Sequence, residues 1–129
     1  MSTTPAGKHV LVVDDDRAVL RVIEKWLTTV GYAVDVCDTF EHAKERLSNA
    51  PPDVLLTDVR LGAFNGLQLV ILAKEQHPKT VAVVMSAYDD PMLRREASQC
   101  GAVYLQKPFT GEAVLNSVSA TPPSEAAVT

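Results

Sequence analysis

The chain has 129 residues, 47% of them hydrophobic, with 16 acidic against 12 basic side chains and a formal net charge of −4. That describes one globular domain, large enough to hold a core without disulfides or structural metal. Mild acidity without a basic run argues against direct nucleic-acid binding, and short apolar runs with a polar N-terminal stretch argue against a membrane span or signal peptide, so a cytoplasmic protein is expected.

The segments 1–7 and 120–129, rich in Thr, Ser, Pro, Ala and Gly, read as disordered tails around a domain at 8–119. Within it, the β-branched run 10–13 predicts a strand, followed by a helix over 17–30 with Val19, Ile23, Trp26, Leu27 and Val30 on one face. Asp16 suits its N-cap and Gly31 its end. The pattern repeats as strand 33–36 and helix 40–47, then strand 54–57, a loop with Gly62 and Gly66, and helix 67–76 ending before Pro78. Strand 81–85 leads to helix 91–99, with Asp90 as N-cap and Pro91 in the first turn. Strand 102–105 and helix 110–119 complete five β-α units. Strands apolar at consecutive positions and alternating with helices predict a parallel sheet covered on both faces. The expected fold is α/β: a doubly wound five-stranded parallel sheet in a flavodoxin-like three-layer α/β/α sandwich, strand order 2-1-3-4-5.

In such a sheet the site lies beyond the C-terminal strand ends. There the sequence places Asp14, Asp15 and Asp16 after the first strand, Asp58 after the third, Ser86 after the fourth and Lys107 after the fifth. Like charges at about 4 Å repel by roughly 4 kcal/mol per pair at an effective dielectric near 20, so a counter-charge is required. Lys107 supplies one. Carboxylates without convergent His or Cys suit a hard cation, Mg²⁺ best, with Mn²⁺ as an alternative. A metal, a lysine and a hydroxyl are the parts that stabilise a transferring phosphoryl group. No GxxxxGK[ST] loop is present, so the nucleophile is expected to be an aspartate of the protein.

The motifs Val12-Val13-Asp14-Asp15-Asp16, Leu56-Thr57-Asp58, Ser86-Ala87 and Lys107-Pro108-Phe109, each after the appropriate strand, together resemble the receiver domain of response regulators in two-component signalling, of the chemotaxis-regulator type. The resemblance covers about 8–119. It implies that Asp58 accepts a phosphoryl group from a sensor histidine kinase or histidine phosphotransfer protein, and that the domain is a signalling module rather than a turnover enzyme. It further implies that Asp14, Asp15, Asp58 and the backbone carbonyl of Arg60 bind Mg²⁺. Lys107 would pair with the phosphate, and Ser86 would move to hydrogen-bond it. Tyr104 would be an aromatic switch that follows Ser86, and the output surface would comprise the helix from Pro91, the strand at 102–105 and the last helix. Arg60 and Tyr88 occupy the positions that tune phosphate lifetime in that family; both are large and are expected to slow self-dephosphorylation.

Two departures stand out. Gly62 replaces the usual proline four residues past the acceptor, and Asn65-Gly66 replaces an acidic-Gly pair, which should loosen this loop. The last helix carries only Glu112 as a charge, so a monomer or weak dimer is expected rather than a charged dimer. The downstream target is not legible, and the chain reads as either a stand-alone relay or a receiver cut from a longer protein. Blander readings apply elsewhere. Asp16 is a cap, Trp26 and Phe40 are packing residues, Cys37 and Cys100 are small buried hydrophobes, and His9, His42 and His77 lie on the surface. A strand aromatic such as Tyr104 can also be mere packing. Two rivals remain: a phosphatase of the haloacid dehalogenase type with Asp14 as nucleophile, and a degenerate module that needs no phosphate.

Overall fold

The computed structural model describes residues 8–119, and the two expected tails lie outside the described residues. In chain order the elements are β1 (His9–Val13), α1 (Arg17–Thr29), β2 (Ala33–Cys37), α2 (Phe40–Asn49), β3 (Val54–Asp58), the short strands β4 (Arg60–Leu61) and β5 (Phe64–Asn65), α3 (Leu67–Gln76), β6 (Val81–Ser86), α4 (Pro91–Gln99), β7 (Ala102–Gln106) and α5 (Gly111–Val118). The five long strands form one parallel sheet, ordered β2-β1-β3-β6-β7. This is the doubly wound order expected from the sequence. The order reverses at β1, so the crevice outside β1 and β3 is the switch point of the sheet.

Side-chain alternation along the strands splits the core in two. Leu11, Val13, Leu55, Ala82 and Val84 face a cluster with Phe40, Leu47, Leu69, Val70 and Ala97 of α2, α3 and α4. Val10, Val12, Val54, Leu56, Val83 and Met85 face the opposite way, against Leu20, Ile23, Leu27 and Val114 of α1 and α5. β1 from Val10 onward and all of β6 are buried, as their unbroken apolar runs require, whereas edge strands β2 and β7 expose part of each face. The helix starts follow their sequence signals. Asp16, Thr39, Asp90 and Thr110 accept backbone N–H groups of the first turns of α1, α2, α4 and α5.

The hairpin β4-β5 was not legible as regular structure, because two-residue strands leave no periodicity to read. Its turn is Gly62-Ala63, with φ 61° at Gly62 and no positive φ at Ala63, the sign pattern of a type II′ turn, in which glycine leads. Gly62 therefore closes a tight hairpin where a loosened loop was expected. Asn65 Oδ1 accepts the N–H of Leu67 at 2.8 Å and so caps α3. Cys37 is buried as expected, but Cys100 is only partly so.

Gly66 is required for a steric reason. Its N–H donates to the Val59 carbonyl at 2.6 Å, and an added Cβ would stand 2.0 Å from the carbonyl oxygen of Asp58 and 3.0 Å from Thr57 Oγ1. The Gly66→Ala protein is expected to lose about 1–3 kcal/mol, the usual range for over-packing. Urea unfolding checks this, and an unchanged midpoint would contradict the close approach.

Candidate functional site

Each polar side chain of the site stands where a strand stops. β1 ends at Val13, so Asp14 is delivered into the sheet's C-terminal crevice, fully buried, while the next residue, Asp15, is exposed. β3 ends with Asp58, its side chain 13% exposed. Asp14, Asp15 and Asp58 bring carboxylate oxygens within 4.8 Å of one another, the one such group of metal-ligating side chains among the described residues. β7 and its following turn supply Lys107, whose ammonium lies 2.8 Å from Asp14 Oδ2 and 3.6 Å from Asp58 Oδ2. The Lys107 backbone N–H donates to the Ser86 carbonyl at 2.7 Å, tying the end of β7 to that of β6, and the Lys107–Pro108 peptide is cis.

Asp14 is held from several sides. Its Oδ1 accepts the Asp16 N–H at 2.9 Å, its Oδ2 accepts from Lys107, and its own N–H donates to the Cys37 carbonyl. This carboxylate has no exposed surface, whereas a nucleophile must present an oxygen to an incoming phosphorus. That geometry disfavours the phosphatase reading with Asp14 as nucleophile. Asp58 is the more open carboxylate. Burial, and then the charge of Asp14, push its pKa from an ordinary 3.8 to about 6, against the opposing effects of Lys107 and of a hydrogen bond from the Arg60 backbone. Burial alone would lower Lys107, but its hydrogen bond to Asp14 and the charges of Asp14 and Asp58 outweigh this and raise it. It is a lysine held charged.

Ser86 is buried, and its hydroxyl accepts the Tyr88 N–H at 3.1 Å. Tyr104 is partly buried against the α2–α4 side of the core, and its hydroxyl donates to the Tyr88 carbonyl. Arg60 and Tyr88 meet directly, with the guanidinium carbon 5.1 Å from the ring centroid. The expected residues therefore gather at one end of the sheet, Tyr104 reaching them through the Tyr88 backbone. His42 and His77 are exposed, and His9 pairs with Asp35 at 3.3 Å, away from the acidic crevice.

Arg94 of α4 escaped the sequence reading. Its guanidinium lies 4.4 Å from the Tyr104 ring centroid, with Nε 2.8 Å from Asp89 Oδ1 and Nη2 donating to Gln106 at 3.2 Å. A helix arginine is normally a solvated face, so nothing in the spacing singles it out.

A doubly wound fold with an acidic switch-point cleft and a facing lysine defines an α/β domain with an oxygen-rich site at the C-terminal strand ends. Residues 10–119 match the family model of the response regulator receiver domain, and the chain belongs to that family, the signal-accepting part of response regulators in two-component signalling. It is 40% identical over 105 residues to the DNA-binding transcriptional regulator NtrC of Proteus hauseri, a match covering 78% of this chain and 22% of the relative. The chain thus spans about a fifth of the length of its NtrC relatives. Among solved structures it resembles a CheY-like receiver domain protein from Methanospirillum hungatei, with 25% identity, a TM-score of 0.80 and coverage of 84% of this chain and 88% of that one. A response regulator from Burkholderia pseudomallei, described with a phosphorylated aspartic acid, a calcium ion and citrate, matches at 26% identity and TM-score 0.82, covering 94% and 71%. No described helix is long and apolar enough to cross a membrane.

The raised pKa of Asp58 makes a stability prediction. The folded state holds the proton more tightly than the unfolded chain, so the contribution of protonated Asp58 is full below pH 3.8 and is lost as pH rises through about 6. Asp58→Asn, neutral at every pH, is expected to be more stable than the wild type by up to about 3 kcal/mol above pH 6, with little difference near pH 4. Urea unfolding at pH 4 and 7.5 without divalent cations tests it, and a pH-independent difference would refute it.

Proposed function

We propose that Asp58 is the phosphoacceptor of this receiver domain. One observation carries the reading: Asp58 is the partly open carboxylate of the cleft, with the Lys107 ammonium 3.6 Å from its Oδ2 and two further carboxylates beside it. An Asp58 oxygen attacks phosphorus, the bond from phosphorus to the donor's histidine nitrogen breaks, and the imidazole leaves with the electron pair. Lys107 pairs with the arriving oxygens, and the Ser86 hydroxyl turns toward them. The phosphorylated aspartate and cation described for the Burkholderia relative support this chemistry.

Asp14, Asp15, Asp58 and the Arg60 backbone carbonyl would hold Mg²⁺, or Mn²⁺ in its place, and an oxygen-only set of this charge fits a hard cation. When bound, such an ion offsets the charge of the phosphoryl oxygens and the crowded carboxylates. The donor is a sensor histidine kinase or a histidine phosphotransfer protein in the cytoplasm. A groove of about 580 Å³ between α1 and the turn after β7, lined by Val22, Trp26, Pro108 and Phe109, begins at Lys107 and suits apolar side chains of that donor. Movement of Ser86 draws on the Tyr88 backbone that also holds Tyr104. The switch then changes the surface of α4, β7 and α5, which acts on a partner or output domain. With a net charge of −4 and no basic run this domain is not expected to contact nucleic acid itself, and any DNA binding would fall to a partner or output domain; the NtrC relatives are named DNA-binding transcriptional regulators.

Intact-mass spectrometry after incubation with acetyl phosphate tests the assignment. A Mg²⁺-dependent gain of one phosphoryl group is expected, absent in Asp58→Asn; a gain that persists in that variant, or none in the wild type, would sink it. Because the nucleophile must be ionised, the rate at low Mg²⁺ is expected to fall as pH drops through about 6. Arg60 and Tyr88, stacked on each other two residues past Asp58 and Ser86, are proposed to obstruct the water that would attack the aspartyl phosphate, so Arg60→Ala and Tyr88→Ala should each speed loss of the phosphoryl group. Decay rates no faster than wild type in both would remove this role.

A further inference from the structure

The hairpin that follows the acceptor carries an aromatic residue with no evident business there. Phe64 is 45% exposed on a two-residue strand, so it adds little to the core. Yet its ring lies 4.6 Å from that of Phe40, at 12° between planes, a parallel stack. Phe40 opens α2 and is 9% exposed within the core cluster. An exposed ring is thus laid on a fixed one belonging to another element.

The consequence passes along the hairpin. Phe64 pairs with Leu61, and Asn65 with Arg60. Arg60 stands two residues past Asp58, and its backbone hydrogen-bonds the Asp58 carboxylate. The base of the hairpin is held by Asn65, whose side chain accepts the Leu67 N–H, and by the bond from Gly66 to Val59. At the other end Leu61 is buried beside the Gly62 turn, which sets the depth of the hairpin. The lateral placement of the tip then falls to its side chains, of which Phe64 is one. The Phe40–Phe64 stack supplies a lateral restraint, because a stacked aromatic pair adds to what its buried area alone would give.

We infer that Phe64 is a positioning residue: stacked on Phe40, it holds the hairpin so that the Arg60 carbonyl faces the carboxylates of Asp14, Asp15 and Asp58. The inference rests on the reading of that carbonyl as a metal ligand. Residues that orient a ligand act on metal affinity rather than on the chemistry after binding.

Calorimetric titration of the whole chain with Mg²⁺ tests this. Phe64→Ala is expected to bind Mg²⁺ about tenfold more weakly, the lower end of the range for lost orienting contacts, while Phe64→Tyr, which keeps the stack, retains the wild-type value. Ile71→Ala, an equally exposed apolar site on α3, should leave affinity unchanged. Acetyl phosphate labelling of Phe64→Ala should need more Mg²⁺ yet reach the wild-type extent at saturation. Wild-type affinity in Phe64→Ala, or an equal loss in Ile71→Ala, would overturn the inference while leaving the metal site intact. A wild-type chain that binds no Mg²⁺ would overturn the metal site itself and the inference with it.

Discussion

Everything at the functional end of this domain depends on one lysine among three carboxylates. Lys107 lies 2.8 Å from Asp14 and 3.6 Å from Asp58, with Asp15 close by, so one cation faces three anions and the cluster is short of positive charge. Asp14, fully buried, has both oxygens occupied by Lys107 and a backbone N–H. On Asp58, burial and then the charge of Asp14 both disfavour ionisation and push its pKa to about 6. A site short of positive charge attracts a cation. Under the proposed function, a bound cation would let the site take the further negative charge of a phosphoryl group.

The sequence made the frame of this site readable because the frame is built from strong, short-range rules. Apolar runs in β1 and β6, Gly31 and Gly101 at positive φ after α1 and α4, and Asp16 and Asp90 as caps all act within a few residues of themselves. Once five β-α units are recognised, topology does the rest: parallel strands bring their C-terminal ends together, so Asp14 and Lys107, 93 residues apart, must meet. The differences at element ends are small, with β1 beginning at His9 rather than Val10 and β3 running through Asp58.

What sequence reasoning missed depends on close approach between elements. That Gly66 lies against the Asp58 carbonyl, that Arg94 covers Tyr104, and that Phe64 stacks on Phe40 are facts of packing across loops, for which no local pattern exists. The hairpin is the clearest case. Gly62 was read through its conformational freedom alone, but in a two-residue hairpin turn the same freedom is what permits a tight, ordered bend.

Magnitudes decide how such a site can signal. A carboxylate raised from 3.8 to about 6 carries about 3 kcal/mol of disfavoured ionisation, whereas moving a two-state surface from 1:99 to 99:1 takes about 5.5 kcal/mol. Relief of that cost at Asp58 therefore cannot drive a complete switch alone. In the proposed mechanism the balance would come from contacts made only with the phosphoryl group present, those of Lys107 and Ser86. Under that proposal Ser86 would pass the energy on, since its hydroxyl accepts the N–H of Tyr88, whose carbonyl accepts the hydroxyl of Tyr104. The opposing contacts are also local: Arg60 on the Tyr88 ring and Arg94 on the Tyr104 ring. Cation–π contacts at exposed sites are worth about 0.5–1 kcal/mol each. They are weak enough to be overcome by the phosphoryl contacts and strong enough to bias the unphosphorylated surface by several-fold.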